Sequence, residues 1–195
     1  MYGVNMDAMN AGKMSAMNGG NMDATNGRNM DTVNGVPTPN PALQQLERFA
    51  GKWKISGHNY IDAPNDAGAH ITHGEQTYDW LPGKFFLVGK WDRTFEGGER
   101  HAGISLISFD EATQSFKSDG YDNLGYNRIY KMTGDGRTWK YEGEHERATL
   151  TFSEDGKRYT DEWEIRTEAG WEKLCHMEAH KVAGARMLTG LMGMF

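Results

Sequence analysis

"RYTDEWEIR", residues 158–166, alternates without a break. Arg158, Thr160, Glu162, Glu164 and Arg166 make one wholly polar row, and Tyr159, Asp161, Trp163 and Ile165 make the other. Successive side chains of a strand point to opposite faces, so this pattern is a strand with one wet face and one inward face. Asp161 shares the inward face with two aromatic rings, and is predicted to point into the interior. "TWKYEGEHE" (138–146) reads the same way. Thr138, Lys140, Glu142 and Glu144 must face water, which turns Trp139, Tyr141, Gly143 and His145 inward. In "KWKIS" (52–56) the inward pair is Trp53 and Ile55.

Between such strands the turn signals come at short, regular intervals. They are Pro64-Asn65-Asp66, Pro82-Gly83, Gly97-Gly98, Asp110-Glu111, Asn123-Leu124-Gly125, Gly134-Asp135-Gly136, a reversal near Glu146, Asp155-Gly156 and Ala169-Gly170. That spacing predicts an all-β fold: a closed, antiparallel, up-and-down barrel of about ten strands, long enough to remove its own edges. "PALQQLERFAG" (41–51) precedes the strands as a short helix with Leu43, Leu46 and Phe49 on one stripe, placed to cap one mouth. Two strands stay ambiguous. In "YNRIYKM" (126–132) Tyr126, Arg128, Tyr130 and Met132 look like a pocket wall, but Ile129 argues for the opposite facing. In "WEKLCHMEAHKV" (171–182) both rows mix polar and apolar residues. Leu174, His176, Glu178 and His180 form one candidate inner row and Cys175, Met177 and Ala179 the other.

The barrel occupies residues 41–183 in this reading. Ahead of it, residues 1–40 contain four octads, NMDAMNAG, KMSAMNGG, NMDATNGR and NMDTVNGV. A period of eight suits neither helix nor strand, Asn-Gly interrupts both, and almost nothing there is apolar enough to offset its ordering entropy. The segment is expected to be a disordered tail, ending in an extended "VPTPNP" linker. Its Met pairs (Met6 and Met9, Met14 and Met17) are soft ligands of the kind that select Cu(I), but two octads lack the second Met and no His or Cys supports them. Residues 184–195 hold Met187, Leu188, Leu191, Met192, Met194 and Phe195, an apolar segment too short to span a bilayer and suited to docking or to pairing two subunits.

Charge and cysteine content narrow the function classes. With 21 basic and 27 acidic residues the net charge is −6, without the positive field that nucleic acid requires. A single cysteine, Cys175, excludes an internal disulfide framework, and no signal segment or membrane span is visible. The expected location is the cytoplasm.

"LERFAGKWKISG" (46–57) resembles the helix and G-x-W motif that open lipocalin-like, calycin-type barrels. "YDWLPGKFFLVGKWD" (78–92), "ISFDEATQSFKSDGYDNLG" (107–125) and "WEIRTEAGWEKLCHMEAHKV" (163–182) are similar to blocks of an uncharacterised bacterial family of such barrels. The resemblance covers residues 43–182 and implies a cavity without an established reaction. A distantly similar branch, the nitrobindin-like barrels, holds haem iron through a histidine on the last strands, which here would be His176 or His180.

No histidine pair has convincing zinc spacing: His70 and His73 would face opposite ways, and His176 and His180 stand about 13 Å apart along a strand. No metal is expected, nor any phosphate-binding glycine loop or serine nucleophile. An inner face of Tyr, Trp, His, Asp and Arg describes a small-molecule cavity, since a core built only for stability avoids unpaired polar groups. The expected site is Arg128, Tyr130, Trp139, Tyr141, His145, Tyr159, Asp161, Trp163 and His176, binding a small, partly apolar ligand. The alternatives are a cofactor-free enzyme working through His145 and Asp161, on a hydration, isomerisation or cyclisation, and haem held by His176. A second copy of the chain is the only macromolecular partner in view.

Overall fold

A computed structural model of the chain describes residues 32–33, 36–60 and 69–184. The first three octads, the Pro64–Asp66 turn and the apolar segment after residue 184 lie outside the described residues. The fourth octad and the first residue after it contribute a two-residue ladder, in which β1 (Thr32–Val33) pairs with β2 (Val36–Pro37).

Ten longer strands follow: β3 (Gly51–Asn59), β4 (Ala69–Trp80), β5 (Leu87–Phe95), β6 (Arg100–Asp110), β7 (Ser115–Asp122), β8 (Asn127–Gly134), β9 (Thr138–Glu142), β10 (Glu146–Phe152), β11 (Arg158–Thr167) and β12 (Gly170–Ala183). Each pairs antiparallel with its neighbours in sequence, and β12 pairs back onto β3 to close the barrel. The all-β up-and-down barrel is therefore the fold. No helix among the described residues is long and apolar enough to cross a membrane.

The opening helix is a 3₁₀ helix, Pro41–Arg48. Three residues per turn place positions three apart in line, and that is the spacing of Leu43, Leu46 and Phe49. All three are buried. Asn40 caps the start, accepting a hydrogen bond from the Ala42 amide, and Pro41 at the first position loses no needed donor. At the other end Trp53 Nε1 donates to the Phe49 carbonyl at 2.7 Å, and Lys181 Nζ donates to the carbonyls of Arg48 and Ala50, both at 3.0 Å. The Lys181 ammonium also lies 4.6 Å from the centroid of the Trp53 ring, and burial holds its proton affinity below the ordinary lysine value. Gly51 then turns the chain into β3 at φ +134°, where a Cβ would meet the Ala183 carbonyl oxygen at 2.5 Å.

This helix plugs one end of the barrel. The Phe49 ring meets Phe152, Tyr78 and Trp139 edge-on, with centroids 4.9, 5.3 and 5.4 Å away. Leu46, Trp53, Leu87, Phe116, Met132 and Tyr159 complete a closed aromatic and aliphatic layer. The opposite end, where β3 finishes and β4 begins, is built differently.

Structure settles both ambiguous strands. Tyr130 and Met132 are buried and Arg128 lines the cavity while Ile129 is half exposed, so Arg128, Tyr130 and Met132 face in and Ile129 faces out; Tyr126, just before β8, is exposed. On β12 the inner row is Cys175, Met177 and Ala179, paired with Trp163, Asp161 and Tyr159. A bulge explains why the pattern was mixed: Trp163 pairs with Cys175 but Glu164 pairs with Lys173. One residue is left over, the alternation breaks at Leu174, and both rows then carry apolar side chains. His176 consequently stands on the outer row opposite Glu162, a correction to its expected place among the ligand-binding residues.

Candidate functional site

Above the packed layer the barrel holds a cavity of about 610 Å³. Of the residues expected at a site, Arg128, Tyr130, Tyr141, Asp161 and Trp163 line it. Trp139 and Tyr159 face inward as expected but sit in the packed layer beneath, outside the cavity wall. Tyr159 touches the site through one hydrogen bond, from its hydroxyl to Gln76 Oε1 at 3.0 Å. His145 is a second correction. β9 ends at Glu142, so His145 falls on the turn to β10, where its side chain is 69% exposed beside Glu144. The His145–Asp161 pair on which an acid–base reading depended is not assembled. The histidine expected to reach haem iron, His176, points away from the cavity.

Strands β4 to β7 supply wall residues absent from that set: Gln76 and Tyr78, Trp91 and Arg93, His101 and Ser105, and Ser118. Their signal was the same alternation. In "KWDRTF" (90–95) Trp91, Arg93 and Phe95 share one row, and all three line the cavity. Gly103 lets Trp91 lie flat here, because a Cβ would come within 2.3 Å of its ring.

Arg93 is the centre of the site's electrostatics. Its charge acts on Asp161, Tyr78, Tyr159, Cys175 and His101. Burial raises the Asp161 carboxyl to about 6, against the pull of Arg93 and then of the Trp163 indole, which approaches it without closing a full hydrogen bond. Burial likewise pushes the Cys175 thiol up to about 12 and keeps the tyrosines of the interior protonated. His101 is held below the ordinary histidine value, first by burial and then by Arg93, against the pull of Asp122.

Arg93 Nε, Asp161 Oδ1, Trp91 Nε1 and Trp163 Nε1 are buried without a hydrogen-bond partner among the described residues. All four residues line the cavity. Trp80 and Trp139 also have unpaired indole nitrogens, but they belong to the packed end. A buried polar group left unpaired costs about 1–3 kcal/mol.

Polar groups at the mouth, by contrast, are satisfied. Asp122 accepts from the amides of Leu124 and Tyr126, from Arg128, and faces His101 Nε2 at 3.2 Å. Burial works to raise its carboxyl, yet these donors together hold it below the ordinary value. Arg128 also donates to Glu146, whose second oxygen accepts from the Tyr130 hydroxyl. Arg128 thus pairs with Asp122 and Glu146 at the rim, and not with Asp161.

Comparison with solved structures finds a protein of similar fold. Rv2717c from M. tuberculosis, known from a crystal structure, superposes with a TM-score of 0.54 at 13% identity, covering 74% of this chain and 99% of that one. At that identity the likeness is one of fold. A de novo designed fluorescence-activating β-barrel aligns with a TM-score of 0.37 at 8% identity, over 71% of this chain and 98% of that one. The sequence matches no curated protein. The family model described as "Protein of unknown function (DUF1579)" matches residues 38–188, from the start of the 3₁₀ helix through the last strand of the barrel, and the chain belongs to that family.

Proposed function

We propose that the barrel binds a small, partly apolar molecule, with its body among the rings of Trp91, Tyr78, Tyr130, Tyr141 and Trp163 and its polar end between Arg93 and Asp161. One observation carries this reading. Three donors and one acceptor, on four residues that line the same cavity, are buried and unpaired, while Asp122, Arg128 and Glu146 at the rim satisfy one another. Donors outnumber acceptors, so the polar end of the ligand is an acceptor, and the guanidinium of Arg93 favours an anionic one. The volume lies within the range of small-molecule sites, and aromatic walls with a few convergent polar groups are their ordinary composition. Binding without turnover is the reading favoured over catalysis, because His145, the expected partner of Asp161, stands on an exposed turn, and His101, which lines the cavity, is engaged by Asp122 at the rim.

The test is a fluorescence titration with two dyes of similar shape, an anionic anilinonaphthalene sulfonate and the neutral phenylnaphthylamine. The full chain is expected to bind both saturably. Arg93→Gln weakens the sulfonate about tenfold or more, the value of a hydrogen bond to a charged group, and the neutral dye much less. Saturable binding of neither dye, together with no co-purifying mass by native mass spectrometry from the source organism, would overturn the proposal.

A further inference from the structure

The outer wall carries a second constellation, behind the cavity rather than in it. Along four consecutive strands the registers place Glu162 of β11 opposite His176 of β12, His176 opposite His58 of β3, and His58 opposite His70 of β4. Residues paired directly across a ladder point to the same side of the sheet. Their chain neighbours Asn59, Ile71 and Cys175 line the cavity, so this row faces outward. One carboxylate and three imidazoles therefore stand side by side across the barrel near its open end.

Two members already meet. His58 Nε2 and His70 Nε2 lie 3.1 Å apart, with ring centroids at 3.9 Å and the planes tilted by 49°. The contact is possible only while at least one of these nitrogens is unprotonated and offers its lone pair. With metal–nitrogen bonds of about 2.05 Å, nitrogens at this separation subtend about 98° at a shared ion, between the square-planar and tetrahedral angles. Cross-strand pairing has set the nitrogen spacing in advance, and the two rings, with centroids now 3.9 Å apart, splay to aim both lone pairs at the ion.

We propose that His58 and His70 chelate a divalent first-row transition ion of the Zn²⁺ or Cu²⁺ class, with His176 as the third ligand. No three such groups converge among the described residues as they stand. His176 reaches the ion by a rotamer change that releases its present neighbours, Glu162 Oε1 at 3.9 Å from Nδ1 and Glu178 Oε1 at 3.8 Å from Nε2. Water completes the shell, as befits an exposed site. Borderline imidazole nitrogens favour these ions over Mg²⁺ or Ca²⁺, and the nearby Glu162 and Glu178 reinforce the preference for a cation.

The spacing that sequence inspection rejected, His70 with His73 and His176 with His180, concerned histidines on one strand. The pair that meets is separated by the β3–β4 connection and becomes adjacent only through sheet register.

The experiment is calorimetric titration of the untagged full chain with Zn²⁺, an ion for which the thioethers of the N-terminal octads are poor ligands. One saturable site of micromolar affinity is expected. His58→Ala and His70→Ala each weaken it at least tenfold, His176→Ala weakens it severalfold, and His145→Ala, on the exposed turn, leaves it unchanged. Zinc should also shift the side-chain ¹⁵N resonances of His58 and His70 in the wild type, a response that a merely structural contact does not produce. Should an alanine variant misfold, His58→Gln and His70→Gln carry the same expectation. Wild-type affinity in the His58/His70 double variant, or no saturable binding below about 1 mM in the wild type, overturns the site. Unchanged affinity in His176→Ala overturns the third ligand.

Discussion

Asp161, buried in the cavity wall, ties the stability of the fold to pH. Its carboxyl titrates near 6 in the folded barrel and near 3.8 when exposed, so the native state holds the proton more tightly than the unfolded chain. By linkage, the contribution of Asp161 to stability is greatest below about 4, declines as pH rises toward 6, and is level above that. Asp161→Asn removes the decline. It is expected to be more stable than wild type at pH 7.5, by up to about 3 kcal/mol, and no different near pH 4. Urea denaturation at several pH values checks this, and parallel curves for the two proteins would contradict it. Asp161 was legible from alternation alone, as were Tyr141 and Trp163, whereas Tyr130 stands on a strand whose facing alternation left open. Arg93 followed the same rule but stands in a shorter row, Trp91, Arg93 and Phe95, between exposed charges that look like an ordinary surface strand.

At the scale of elements, the 3₁₀ helix acts as a stopper whose hold rests on Phe49 and Leu46. Phe49→Ala opens a hole among Tyr78, Trp139 and Phe152, and is expected to destabilise the fold by about 3–5 kcal/mol. Gln45→Ala, on the exposed side of the same helix, should change stability by less than about 0.5 kcal/mol. Equal effects in thermal denaturation would show that the helix merely rests on the barrel. A helix here is predictable from the Leu43, Leu46, Phe49 spacing, and its 3₁₀ form is the geometry that aligns such a row. The closing strand teaches the opposite lesson. Its facing depends on a bulge at Trp163, and a bulge is a property of two strands together, so β12 read alone could not reveal it.

For the whole molecule, closure is complete between Gly51 and Ala183, each strand paired on both sides by another of the ten. Nothing in that circuit of hydrogen bonds uses the octads. A chain beginning at Pro37 should therefore keep its melting temperature within about 2 °C and its dye affinity within twofold, since all ten strands of the barrel and the helix that plugs it lie within Pro41–Ala183. Loss of folding in that variant would mean that the division of the chain at the linker is wrong.

Periodicity by itself determined the all-β class, the barrel, the helix at its entrance and the inward aspartate. These follow from local rules, in which each side chain's direction is set by its own backbone and each turn by its own residues. Tertiary structure alone decided that the interior is packed at one end and hollow at the other, that Trp139 and Tyr159 lie below the cavity, that His145 and His176 lie outside it, and that His58 meets His70. Each of these depends on which residues of distant strands come opposite one another. Register and bulges settle that only when the sheet closes.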